Sequence, residues 1–228
     1  VCLGISSIKF SLDQNYSLAV IFLVFAALLD ALDGRIARLI KGTTEFGKEL
    51  DSLTDFVSFG IAPAFILYFW ELKNYGKIGW AITLIFSVCC VLRLARFNLI
   101  KISEEAEWKL NYFEGVPSPA GAGLILLPLI YELSEFDFNI NIKSVAPYLV
   151  VIVALLLISK IPTFSLKKIK ISSGLTIFLL FGIAIIFVSV IFFTFEALLI
   201  VGIIYLLTIP ISFVLFQKTS KKMNSIKE

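Results

Sequence analysis

The chain of 228 residues is 59% hydrophobic and 16% charged, with a mean hydropathy of +0.96. Soluble domains carry about 25% charged and about 45–50% apolar residues, so this composition is that of an integral membrane protein. There is no histidine, and the three cysteines, Cys2, Cys89 and Cys90, show no CxxC spacing. That argues against zinc held by imidazole or thiolate and excludes Ser-His and Cys-His nucleophilic pairs. A metal here would take oxygen ligands, which points to a hard cation such as Mg²⁺, Mn²⁺ or Ca²⁺. The net charge of +3 is modest, and no nucleic-acid partner is expected.

A membrane-spanning helix needs about 20 apolar residues. The short run Val1–Ile5 is taken as the tail of a first helix whose beginning is missing. Further spans are expected at 17–40, 47–71, 78–100, 115–132, 145–161, 172–193 and 196–216. The expected fold is therefore an all-α, polytopic membrane bundle of about eight helices, the first truncated. Short connections and the lack of a clear repeat make residues 1–228 a single domain, with its C-terminal helices at about 145–216.

Lysine and arginine set the orientation. If the loop after the second span faces the cytoplasm, sixteen basic residues fall on cytoplasmic sides. Only Lys9, Lys73, Lys77 and Lys143 fall on the other. Both termini and the acidic stretch described next are then expected at the cytoplasmic face. Segment 102–113, with Trp108, Tyr112 and Phe113, fits either a short interfacial helix or a solvated loop. Pro117, Pro119 and Pro128 predict an irregular start to the fifth span, lining a cavity, and Pro210 predicts a kink in the last.

Four carboxylates, Asp30, Asp33, Asp51 and Asp55, lie within or beside two apolar spans, where each costs roughly 2.5–3.5 kcal/mol on insertion scales. Asp30 and Asp33 are three apart, and Asp51 and Asp55 four apart, so each pair shares a helix face. Antiparallel packing about the Lys41–Thr44 hairpin brings the pairs to similar depth. Opposed carboxylates form an oxygen cage for one or two divalent ions, which sit about 3.5–4 Å apart where two assist phosphoryl displacement. Gly34, Ala37 and Gly47 remove bulk near these faces, permitting either tight helix packing or close approach of a ligand. Arg38 projects toward the same region, where a guanidinium can clamp a phosphate oxygen. The competing reading of buried acids is proton relay or pairing with Arg35, Arg38 and Arg93. At the level of the whole protein it would be a cation transporter or channel.

The stretch Asp30-x-x-Asp33-Gly34-x-x-Ala37-Arg38, eight residues, Gly47, three residues, Asp51, three residues, Asp55 resembles the signature of the CDP-alcohol phosphatidyltransferases. The resemblance implies that family's fold and a reaction in which an alcohol displaces CMP from a CDP-linked lipid. It implies Mg²⁺ or Mn²⁺, as two ions, with Asp30, Asp33 and Asp51 on metal and diphosphate. Asp55 would complete the metal site and act as the base toward the acceptor hydroxyl. Gly34, Ala37, Arg38 and Gly47 would line the nucleotide pocket, and a homodimer is implied.

A second stretch, Arg93-Leu-Ala-Arg96-Phe-Asn98, precedes Gly115-Val-Pro117-Ser118-Pro119-Ala120. Arg93 and Arg96 share a face one turn apart, and Asn98 and Ser118 add neutral hydrogen-bonding groups. Together they could bind a small zwitterion, with arginine on its carboxylate and Glu114 near its ammonium, or the arginines could merely satisfy the charge bias or bind lipid headgroups. The stretch is similar to the phosphatidylserine synthase branch of the family. That resemblance implies CDP-diacylglycerol and L-serine as substrates, with Arg93, Arg96, Asn98 and Ser118 as acceptor contacts. Glycerol 3-phosphate or an inositol phosphate remains the alternative acceptor.

Overall fold

In a computed structural model, residues 1–39, 44–99, 112–136, 141–164, 181–182, 188–190 and 192–224 are described. Helix α1 (Cys2–Leu12) extends the opening apolar run and packs along α2 (Tyr16–Leu39). Thr44 then caps α3 (Glu45–Asp55), its hydroxyl accepting the Gly47 amide at 3.0 Å. This satisfies one of the amides that a helix start leaves unpaired.

The third expected span is helical through Trp70 but not uniformly α. Immediately after Asp55 the helix widens into a π-turn (Phe56–Ile61) before α4 (Ala62–Trp70). Pro63, in the first turn of α4, has no N–H to offer the carbonyl one turn back. The wider turn shifts the hydrogen-bond register around it. Ser87, on the facing helix, donates to the Gly60 carbonyl at 3.3 Å. A short 3₁₀ turn (Leu72–Tyr75) leads into α5 (Gly76–Leu99).

The next two spans are shorter than expected. Helix α6 covers Ser118–Leu133 and α7 covers Ala146–Ile158. These are about 24 and 20 Å at 1.5 Å per residue, below the roughly 30 Å of a bilayer core. The missing turns are irregular because Gly115, Pro117 and Pro162 interrupt them. Two of these stretches pair as an antiparallel ribbon, β1 (Tyr112–Glu114) with β2 (Pro162–Phe164), with Phe113 opposite Thr163. Tyr112 and Phe113 are thus in a strand, not the interfacial helix considered above. The rest of segment 102–113 and most of the span expected at 172–193 lie outside the described residues. The last helix, α8 (Thr194–Asn224), continues through Pro210.

Among the described residues, four helical stretches are long and apolar enough to cross a membrane: Tyr16–Ile36, Phe46–Trp70, Leu72–Asn98 and Thr194–Gln217. The core lies where α4, α5, α6 and α7 meet, around Ile66, Leu67, Phe86, Ile125 and Val153. Leu28, Leu29, Ile85, Val88, Ile203 and Leu207 point outward and are more than one-third exposed. A soluble protein does not turn so many large apolar side chains outward along its helices.

Candidate active site

The antiparallel run of α2 and α3 fixes the site. Asp30 lies about 14 Å before the end of α2, and Asp55 about 15 Å after the start of α3, at 1.5 Å per residue. Equal depth brings them together, and their carboxyl groups lie within hydrogen-bonding reach. Asp51, one turn earlier on α3, joins them. One carboxylate oxygen from each of Asp30, Asp51 and Asp55 lies within 4.8 Å of the others. Asp33 is exposed and stands outside this group, though it is close enough to Asp30 and Asp51 to act on them electrostatically. The four-carboxylate cage expected from spacing is thus a cluster of three with a fourth acid at its mouth.

Two observations show that this cluster fits a cation. Oδ1 of Asp55 is buried without a hydrogen-bond partner, a position in which an anionic oxygen is costly to leave unmatched. Arg93 lies on the facing α5 within electrostatic range of Asp55, but one guanidinium does not balance three carboxylates. An all-oxygen donor set of this kind suits a hard divalent ion.

The small residues divide. A Cβ at Gly34 would meet nothing within 4 Å, so among the described residues it serves no tight helix contact and leaves open space beside Asp33. A Cβ at Gly47 would come within 3.1 Å of the Thr44 hydroxyl, so Gly47 belongs to the helix cap. The side chains of Ala37 and Arg38 lie outside the described residues.

The second stretch separates into three places. Nη1 of Arg93 donates to Oγ of Ser118 at 2.7 Å, and the thiol of Cys90 lies 3.5 Å from the same oxygen. Ser118 is fully buried. Arg96 instead donates to the carbonyl of Ile158 at 2.7 Å, capping the end of α7, where a cation also complements the helix dipole. Asn98 donates to Ser52 on α3 at 3.0 Å. Glu114 is exposed on β1. Of the four acceptor residues expected, the structure brings only Arg93 and Ser118 together.

The turn before α6 explains why Ser118 is so well placed. Gly115 has φ +74°, and a Cβ there would lie 2.7 Å from the carbonyl oxygen of Ser159. Only glycine tolerates both. Its amide donates to Ile161 at 2.9 Å and its carbonyl accepts from Thr163 at 2.7 Å. Pro117 and Pro119 then start α6, where a missing N–H costs nothing. Sequence spacing did not point to Thr163, whose hydroxyl holds the Gly115 carbonyl, or to Tyr205 of α8, which neighbours Thr163 and lies within electrostatic range of Arg93. The available signal was a tyrosine in the middle of an apolar span, away from the headgroup depth where tyrosine concentrates.

Beside the polar site, an apolar cleft of about 370 Å³ runs between α2, α6 and α8, lined by Val24, Ala27, Phe59, Gly123, Val201 and Tyr205 among others. Membrane-length helices, an acidic cluster across an antiparallel pair and an adjoining apolar cleft define an enzyme-like site at the edge of a lipid phase. Residues 1–217 match the CDP-alcohol phosphatidyltransferase family, and the chain belongs to it.

Among its relatives, the CDP-diacylglycerol–serine O-phosphatidyltransferase of Helicobacter pylori (strain 26695) is 34% identical over 188 residues, covering 82% of this chain and 78% of that protein. The protein of the same name from Mycobacterium leprae is 42% identical over 134 residues, 57% of this chain. The match spans 44% of that protein's length, so the chain covers less than half of it. The namesake from Methanocaldococcus jannaschii is 36% identical over 148 residues, covering 65% of this chain and 62% of that one.

Proposed function

We propose that the protein transfers the phosphatidyl group of CDP-diacylglycerol to the hydroxyl of L-serine, giving phosphatidylserine and CMP. The observation that carries the reading is the convergence of Asp30, Asp51 and Asp55 within 4.8 Å inside membrane-length helices. Serine as acceptor is supported by the names of the relatives and by Arg93, a cation within electrostatic range of Asp55.

In this reading Asp30, Asp51 and Asp55 hold divalent metal, Mg²⁺ or Mn²⁺ and two ions, with Asp33 joining from the mouth. Bound metal would neutralise the diphosphate oxygens and make the acceptor hydroxyl more acidic. Gly34, Ala37, Arg38 and Gly47 serve the nucleotide and diphosphate side, as the family motif implies, and the apolar cleft takes an acyl chain. Asp55 accepts the proton of the serine hydroxyl as its oxygen bonds to the β-phosphorus of the lipid. The bond from that phosphorus to the oxygen bridging to CMP breaks, and CMP leaves with the electron pair. Arg93, fixed by Ser118, holds the serine carboxylate away from the acidic cluster. The distribution of lysine and arginine supports a site and termini facing the cytoplasm, residues 1–228 are read as one domain, and family membership supports a homodimer.

The test is an acceptor panel. Purified full chain with Mg²⁺ or Mn²⁺ and CDP-diacylglycerol is given L-serine, glycerol 3-phosphate or an inositol phosphate, and CMP is measured. Serine alone should give stoichiometric CMP. Turnover only with a phosphorylated acceptor would keep the family and reject serine.

A further inference from the structure

The π-turn Phe56–Ile61 begins at the residue after Asp55 and ends where α4 starts. The Ala62 amide donates to the Val57 carbonyl, five residues back instead of four. Such a turn holds one residue more than an α-helix would, and single turns of this kind recur at functional sites. The extra residue changes which way α3 faces relative to α4.

An α-helix rotates about 100° per residue. Helix α4 buries Pro63, Ile66, Leu67 and Trp70, and their common direction defines its inward face. Continued back from that face as a regular helix, Asp55 would lie about 70° off it and Asp51 about 110° off. With one residue of rotation withheld, both fall within about 30° of it. The same shift carries Phe46 and Leu53 to within about 30° of the opposite side, and they are 78% and 63% exposed. The π-turn thus lets one membrane-length run, Phe46–Trp70, point apolar side chains inward along α4 and carboxylates inward along α3.

Helix α5 seats the turn. Ser87, Cys90 and Arg93 recur every three residues along one side of α5. Oγ of Ser87 lies 3.3 Å from the Gly60 carbonyl and 3.2 Å from the Thr83 carbonyl of its own helix, so one proton serves both. A Cβ at Gly60 would lie 3.1 Å from Sγ of Cys90 and 2.8 Å from the ring of Phe56, the residue next to Asp55. Gly60 is where the backbone of the turn closes on α5. One turn beyond Cys90, Arg93 is anchored on Ser118 at 2.7 Å and lies within electrostatic range of Asp55.

We propose that Gly60 and Ser87 are positioning residues for the acidic cluster: they seat the π-turn on α5 and so aim Asp51 and Asp55 at Asp30. Neither touches a reacting group. The inference rests on the metal-holding role given to the cluster above and adds to it two residues outside both sequence stretches.

The experiment measures Mn²⁺ binding to the purified full chain in detergent, without substrate, from loss of the electron paramagnetic resonance signal of the free ion. Thermal midpoints are recorded alongside. Gly60→Ala should raise the Mn²⁺ concentration at half-saturation about tenfold or more, the scale seen when groups that orient metal ligands are changed. Ser87→Ala should raise it about threefold or more, and Ser87→Thr, which keeps the hydroxyl, should stay within twofold of wild type. The Ser87 pair supplies the readout if Gly60→Ala does not accumulate. A merely structural role would lower the thermal midpoint and leave Mn²⁺ binding by the folded chain unchanged. Binding within twofold of wild type in either alanine variant therefore overturns the inference, as does a loss in Ser87→Thr equal to that in Ser87→Ala. If wild type binds no Mn²⁺, the metal reading fails and this inference falls with it. Mn²⁺ binding without serine-dependent CMP release would reject the transferase reading alone and leave the positioning role standing.

Discussion

The α2–α3 hairpin and the turn between β1 and α6 place their polar groups by opposite means. In the hairpin, regular helices and an antiparallel run do the work. Asp30 and Asp55 meet because they lie equally far from the connection, and Asp51 follows from the four-residue period. In the turn, nothing is periodic. Gly115 adopts a left-handed φ, the ends of α7 and β2 clamp its amide and carbonyl, and Ser118 emerges fully buried against Arg93. The hairpin presents negative charge that calls for a cation, whereas the turn supplies the Ser118 hydroxyl that accepts from Arg93 of α5 and anchors that guanidinium. A centre that brings a metal-bound diphosphate and an amino-acid carboxylate side by side needs both.

The two regions should therefore break differently. Asp55→Asn should lose about 10³-fold or more in turnover, the scale of a missing proton acceptor, compounded by weakened metal binding. Wild-type CMP release in that variant would remove Asp55 from the chemistry. Asp51→Asn should act mainly through the metal. A titration with Mn²⁺ should need at least about tenfold more ion for half-maximal activity, and an unchanged titration would separate Asp51 from the metal site.

On the other side, Arg93→Ala should raise the serine KM by about 10- to 100-fold, in line with about 1.5–3 kcal/mol for hydrogen bonds to charged groups. The KM for CDP-diacylglycerol should hold, and if both rise together the division between hairpin and turn is wrong. Gly115→Ala tests the turn itself. The added methyl collides with the Ser159 carbonyl in a backbone region that disfavours side chains, at a cost of about 1–3 kcal/mol. A lowered thermal midpoint in detergent should accompany loss of serine affinity.

Arg96→Ala is the smallest expected effect on catalysis. It removes the cap on the Ile158 carbonyl and should lower stability by about 1–2 kcal/mol while leaving the serine KM within about twofold. A rise in serine KM matching that of Arg93→Ala would return Arg96 to the acceptor site.

The same contrast explains what could be read from the sequence. Helix positions, the apolar exterior and the meeting of three aspartates follow from spacing, because hairpin geometry converts residue number into depth. Asp33 shows the limit. Its spacing from Asp30 is right, but one turn nearer the end of α2 it is not among the three carboxylates that converge, although Asp51, equally exposed, is. Arg93, Arg96 and Asn98 look alike in sequence, yet their different directions around α5 send them to Ser118, to the end of α7 and to Ser52. Which of three neighbours serves a pocket depends on what packs against each, and those partners are remote in the chain. The shortened α6 and α7 came from glycine and prolines whose effect on an apolar run is clear, although the ribbon they allow is not a local feature.

The most direct test of the account is CMP release by the purified full chain from CDP-diacylglycerol, measured with and without L-serine and with and without a divalent-metal chelator. The account predicts CMP and phosphatidylserine in equal amounts with serine and Mg²⁺ or Mn²⁺ present, and loss of both on chelation that is reversed by adding metal back. Serine-independent CMP release at the same rate, or turnover that persists without divalent metal, would contradict it.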